Sequence, residues 1–135
     1  MDKNDAIDIV KDGGYGFLAT TEGSQPRVRP LMPYYTEDDE LLISLFPNRR
    51  TIPQIQENPQ IEMCFVDRKM SFCRIAGKAV LSDDAEKKQI LWTNVPMLRQ
   101  YYSGPEDENF KLIVIKVESI EAMGPNQEEP DKIAL

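Results

Sequence analysis

Residues 15–46 read YGFLATTEGSQPRVRPLMPYYTEDDELLISLF. Apolar and polar residues alternate or fall in short runs, cut by EGSQP at 22–26 and TEDDE at 36–40, both of them turn compositions. The pattern predicts a strand, turn, strand, turn, strand meander. Upstream, NDAIDIVKD at 4–12 places Ile7, Val10 and Lys11 at helical spacing behind an Asn4 or Asp5 cap, and Gly13-Gly14 stops the helix. Downstream, RTIPQIQEN at 50–58 predicts one or two helical turns with Pro53 in the first. Strands resume in QIEMCFV and SFCRIAGKAVL. Ser82-Asp83-Asp84 then caps a helix over AEKKQILWTN, Val95-Pro96 restarts a second through MLRQYY, and FKLIVIKVESIEAM forms the last strand.

The fold class is therefore mainly β with some α: about six antiparallel strands in one domain over residues 1–123, closed as a barrel or packed as a sandwich, with helices at the periphery. Residues 124–135, GPNQEEPDKIAL, are rich in proline and acid and predict a mobile acidic tail. A six-stranded barrel leaves little interior volume, so a sizeable ligand belongs on its outside or at a subunit interface.

Composition narrows the chemistry. The chain has 135 residues, 41% hydrophobic and 29% charged, which is one domain's worth. It contains no histidine, which removes Ser-His-Asp and Cys-His catalysis and the commonest metal ligand. Cys64 and Cys73 lack the spacing of a zinc knuckle, so no metal site is expected. A formal charge of -7 argues against nucleic acid and anionic membrane as partners. The polar N-terminus and the want of a long apolar window predict a soluble, cytoplasmic chain.

Between Arg27 and Arg50 every cation is an arginine: Arg27, Arg29, Arg49 and Arg50. Guanidinium is a planar fork of donors that matches phosphate and carboxylate oxygens. Arg27 and Arg29 are two apart on a strand and so share a face. The strand LLISLF delivers Asn48, Arg49, Arg50 and Thr51 where a helix begins, which makes an anion site. The alternative reading is that the four arginines balance the acidic run at 37–40 and Glu57 as surface ion pairs, each contributing little.

The segments ATTEGSQPRVRP (19–30), QIQENP (54–59) and RIAGKA (74–79), in this order and spacing, resemble the FMN-binding split-barrel superfamily of pyridoxamine 5'-phosphate oxidase-like proteins, in particular its short single-domain members. The resemblance covers roughly residues 5 to 122. It implies a six-stranded antiparallel Greek-key split barrel, a homodimer, and FMN held at the dimer interface. It also implies flavin-contacting positions at Arg27, Val28, Arg29, Pro30, Leu31 and Met32 on one strand and at Ser44 and Leu45 on another. Arg50 and Thr51 match the phosphate-binding pair, with Arg49 beside them; family members usually carry lysine where this chain has Thr51. Phe72 and Arg74 align near the strand that the second subunit contributes. Flavin brings its own redox chemistry, so such a site works without histidine. The implied function is an FMN-dependent oxidoreductase acting on a small molecule, with a nicotinamide or other reductant. The alternatives are a flavin- or cofactor-binding module without turnover, and a split-barrel dimer that has lost its cofactor. Pyridoxamine phosphate oxidation itself is not expected, because GPNQEEPDKIAL stands where authentic oxidases carry a Trp and a basic substrate-binding motif.

A two-residue turn at Arg68-Lys69 sets Cys64 opposite Cys73, and a reducing compartment favours two free thiols there. Trp92 is read as packing in preference to a cover for the flavin ring, and Tyr34, Tyr35, Tyr101 and Tyr102 as core with wet hydroxyls.

Overall fold

A computed structural model describes all 135 residues. Helix α1 (Lys3–Gly13) leads into β1 (Gly16–Glu22), β2 (Gln25–Leu31), the two-residue β3 (Tyr34–Tyr35) and β4 (Glu40–Leu45). Helix α2 (Thr51–Glu57) follows, then β5 (Gln60–Val66), β6 (Phe72–Ser82), α3 (Ala85–Asn94), a 3-10 helix at Pro96–Gln100, β7 (Lys111–Met123) and β8 (Asp131–Ile133). The strands form one antiparallel sheet in the order β2-β1-β5-β6-β7-β4-β3, with β8 paired to β7. Six long strands build the barrel, as the alternation predicts, and two short ones add to it. β2 and β3 stand at opposite ends of the order although only Met32 and Pro33 separate them in sequence. The sheet is split there. Pro26 and Pro30 are tolerated because β2 is an edge strand.

Alternation decides the inside. Leu18 and Thr20 of β1, Leu41 and Ile43 of β4, Met63 and Phe65 of β5, and Cys73 and Ile75 of β6 are all buried. Along β7 the inward positions run Ile113, Ile115, Val117 and then Ile120, Ala122. The change of parity is a β-bulge: Ala76 pairs with Ser119 but Gly77 pairs with Val117, leaving Glu118 as the extra residue. Gly77 is required at that step, since a Cβ there would lie 2.1 Å from the Lys116 carbonyl oxygen. Outside the barrel, Leu42, Leu112 and Val114 pack beneath Leu91, Val95, Leu98, Tyr102 and Phe110. This second cluster fastens α3 and the 3-10 helix to the β4 and β7 face, with Trp92 and Tyr34 packed against it.

Three expectations are corrected. Residues 124–135 are not a mobile tail: Ile120 pairs with Ile133, whose side chain is buried in the main core, and the Met1 ammonium contacts Asp131 Oδ2 at 2.6 Å. Pairing with β7 and the buried Ile133 together order a segment whose proline-rich, acidic composition points the other way. Helix α1 is capped by Asp2, not Asn4 or Asp5; Asp2 and Asp5 exchange hydrogen bonds in a capping box. The β5–β6 turn is longer than two residues, because Asp67 Oδ1 accepts from the Lys69 and Ser71 amides and Met70 adopts φ 68°. The register therefore pairs Cys64 with Arg74 and Phe65 with Cys73. The two cysteines point to opposite faces, and both are free thiols. No helix is long and apolar enough to cross a membrane.

Candidate functional site

At the split, the ends of β2 and β4, the start of α2 and the 3-10 helix enclose a cleft of about 400 Å³. Its floor comes from Arg29, Pro30, Leu31 and Met32, one wall from Ser44, Leu45 and Phe46, and one end from Arg49 and Thr51. Val95, Met97, Leu98, Tyr101 and Tyr102 form the roof, and Tyr15 completes it with its hydroxyl 3.4 Å from Met97 Sδ. The lining includes two arginines and no carboxylate.

The arginines differ in what they meet. Arg27 pairs with Glu22 at 3.0 Å, whereas Arg29, Arg49 and Arg50 form no salt bridge. The surface ion-pair reading thus holds for Arg27 alone. Arg49 lies 5.9 Å above the Phe46 ring. Arg29 donates only to neutral oxygens: the Leu18 carbonyl at 3.2 Å, Thr20 Oγ1 at 2.7 Å and Gln54 Oε1 at 2.7 Å. Its burial, and then the nearby Arg50 and Arg27, press its pKa downward. A part-buried cation with no carboxylate against it, among other cations, is relieved by a bound anion. Glu22, held below the usual carboxylate range by hydrogen bonds from Gln54 and then Arg27, stays ionised beside this group.

Of the residues singled out in the sequence, Arg29, Pro30, Leu31, Met32, Ser44, Leu45, Arg49 and Thr51 line the cleft. Arg27, Val28 and Arg50 do not; Val28 points outward and is 68% exposed. Phe72 and Arg74 lie on β6, separated from β1 by β5, with the Arg74 guanidinium 5.2 Å above the Phe72 ring. Sequence reading missed Tyr15, Phe46 and the roof. Val95, Leu98 and Tyr102 of the roof read as ordinary core until the second hydrophobic cluster places them over the cleft, while Tyr101, read as core, is 56% exposed. Chemically, the arginine end of the cleft suits an anion and the apolar remainder suits planar, apolar matter. It offers cations, hydroxyls and backbone, but no carboxylate or imidazole as a general base.

Residues 5–124 match the family model described as pyridoxamine 5'-phosphate oxidase. The chain belongs to the pyridoxamine 5'-phosphate oxidase family. General stress protein 26 of Bacillus subtilis is 23% identical over 98% of this chain and 96% of that protein. The crystal structure of a NimC/NimA family protein from Clostridium acetobutylicum is 27% identical, covers 98% of this chain and 91% of its own, and superposes with a TM-score of 0.83. Two less similar structures share the fold. A family-related FMN-binding protein of Nostoc punctiforme is 18% identical, with a TM-score of 0.71 over 96% of this chain and 85% of its own. A haem-binding protein of Mycobacterium smegmatis is 16% identical, with a TM-score of 0.77 over 94% of this chain and 55% of its own. Family membership and the split-barrel fold thus agree with the motifs at 19–30, 54–59 and 74–79.

Proposed function

We propose that this protein is an FMN-binding flavoprotein that carries out redox chemistry on a small molecule. The observation that carries the reading is Arg29, a part-buried cation lining the cleft whose protein partners are all neutral. A phosphate supplies the missing charge. The ring system fits the apolar remainder, where Leu31, Met32, Leu45 and Phe46 face the roof. The Nostoc relative is described as FMN binding, which supports the choice of anion; the Mycobacterium relative is described as haem binding. For haem, this chain offers no axial histidine.

Bound FMN supplies hydride or electron transfer at its ring. The protein's share is binding and orientation. Arg29 and Arg49 hold the phosphate end, Thr51 and Ser44 offer hydroxyls, and Tyr15, Tyr101 and Tyr102 bring hydroxyls to the roof and limit water. Electrons come from a nicotinamide or similar reductant.

The working unit is a homodimer. The outer face of β1, β2 and β5 exposes Phe17 (48%), Val28 (68%) and Val66 (40%), and Pro30 belongs both to this face and to the cleft. A second copy seated here covers the apolar patch and brings the partner's Phe72 and the partner's Arg74 toward the flavin.

Saturating purified protein with FMN and passing it through a desalting column tests the reading: the protein fraction stays yellow and oxidises NAD(P)H. A colourless fraction with no flavin spectrum refutes FMN binding, and a Soret band after haemin loading in its place assigns the cleft to haem. Retained flavin without NAD(P)H oxidation, with any small-molecule acceptor, leaves a binding module in place of an enzyme.

A further inference from the structure

The guanidinium of Arg29 has five N–H groups in one plane. Three are engaged: two on Nη1, by the Leu18 carbonyl and Thr20 Oγ1, and one on Nη2, by Gln54 Oε1. The remaining two, on Nε and Nη2, have no protein partner. They lie along one edge of the plane, the fork that matches two oxygens of a phosphate.

What fixes this arrangement is Gln54, a side chain of α2 that is 4% exposed. Its Oε1 accepts from Arg29 and, at 2.6 Å, from the Thr20 hydroxyl. Its Nε2 donates to Glu22 Oε2 at 3.0 Å. The other oxygen of Glu22 accepts from Arg27 Nε at 3.3 Å and Nη2 at 3.0 Å. Reversing the amide would set its NH2 against a guanidinium and its oxygen against a carboxylate. Glu22 therefore reinforces, from the amide's NH2 end, the orientation that turns Gln54 Oε1 toward Arg29. The chain of contacts runs from an anion, through a buried amide, to a cation that keeps its charge uncompensated by any carboxylate of its own.

We propose that Gln54, oriented by Glu22, is a positioning residue that presents the free edge of Arg29 to a phosphate monoester and so makes the cleft select FMN over its dephosphorylated form, riboflavin. A free arginine side chain surrenders rotamer freedom when it grips a ligand; Arg29, held by three neutral oxygens, has surrendered it on folding. The same three bonds leave the full positive charge for the ligand, because none of the acceptors is a carboxylate. Glu22 contributes orientation from one residue further out, where its own charge is met by Arg27. The inference rests on the flavin reading of the cleft and adds to it the source of phosphate selectivity.

Dissociation constants for FMN and for riboflavin, read by flavin fluorescence, test it in the wild type, in Gln54→Leu and in Glu22→Gln, with thermal midpoints recorded for each. Wild type is expected to bind FMN at least about tenfold tighter than riboflavin. Gln54→Leu is expected to weaken FMN by about tenfold while riboflavin stays within roughly twofold, and Glu22→Gln to weaken FMN alone by roughly two- to fivefold. Inorganic phosphate then competes with FMN less well in both variants. Gln54 is buried, so if Gln54→Leu fails to fold, the partly exposed Glu22→Gln carries the test by itself. A merely structural role would weaken both ligands together, and that result overturns the proposal. So does an unchanged FMN-to-riboflavin ratio in variants whose wild-type parent binds FMN, which leaves the flavin reading intact. A wild type that binds neither flavin overturns both.

Discussion

Arg29 and Arg50 are neighbours in charge but not in surroundings. Arg29 lines the cleft with two donors unpartnered, whereas Arg50 stands outside the lining near Glu22 and Arg29. Replacing Arg29 by methionine keeps the apolar stem and removes the fork, so FMN binding is expected to weaken by about 1.5 to 3 kcal/mol, the range for hydrogen bonds to a charged group. Arg50→Ala is expected to cost less, because it removes only a longer-range charge. Isothermal titration with FMN checks the order, and an equal or larger loss at Arg50 would move the phosphate to that side. Cys73 makes a different residue-scale argument. Burial pushes its thiol up to about 12 from an ordinary value near 9. Folding thus favours the protonated thiol: its contribution is intact below about pH 9 and is lost as pH rises toward 12. Urea unfolding at a series of pH values from 8 to 11 is expected to show falling stability, with a shallower fall in Cys73→Ala; parallel profiles would remove the thiol as a cause.

Among the elements, β6 and β7 carry the longest pairing in the sheet, and its one irregularity is also what makes it work. The bulge at Glu118 shifts β7 by one residue, so that Val117 and Ile120 both face the core. Gly77 gives the room for it. Gly77→Ala sets a methyl against backbone that cannot rotate away, and it is expected to destabilise the fold by about 1 to 3 kcal/mol, measured by chemical denaturation. A loss near zero would mean that the ladder opens locally at little cost. α3 and the 3-10 helix act at this scale as well. They cover apolar side chains on the outer face of β4 and β7, and in doing so Val95, the 3-10 helix and the two tyrosines after it come to roof the cleft. The site is therefore made of two packing solutions, the barrel's edge and the cover over its outer face.

Across the whole molecule, three of the ten exposed large apolar residues fall together. Phe17, Val28 and Val66 share the outer face of three adjacent strands, beside the mouth of the cleft. Apolar groups at adjacent positions on one sheet face signal an interface. Light scattering on a sizing column is expected to return twice the 15.5 kDa chain mass, and Phe17→Glu, which alters a half-exposed side chain, is expected to return a folded monomer that releases FMN. A Phe17→Glu protein that remains dimeric with flavin bound would place the interface elsewhere. β8 belongs to this scale too, joining the last residues of the chain to β7 and, through Asp131, to the first.

Period-two alternation in 15–46 and 60–81 was enough to name the long strands, because a side chain's face follows from its parity, but it ran β2 and β3 together as one strand. The motifs at 19–30, 54–59 and 74–79, taken together in their order and spacing, were enough to point to the family. Arginine in place of lysine was enough to suggest an anion; the flavin entered only with the family resemblance, with which the absence of histidine is consistent. The sequence determined this much by local rules. Tertiary structure decided the rest, through contacts between residues far apart in the chain. The β5–β6 register turned on hydrogen bonds from two turn amides to the Asp67 side chain, and it moved Cys64 and Cys73 to opposite faces. The order of the tail turned on burying Ile133 against β7. Which arginine keeps an unpartnered edge turned on Gln54, 25 residues from Arg29, taking one side of its guanidinium and leaving the other free.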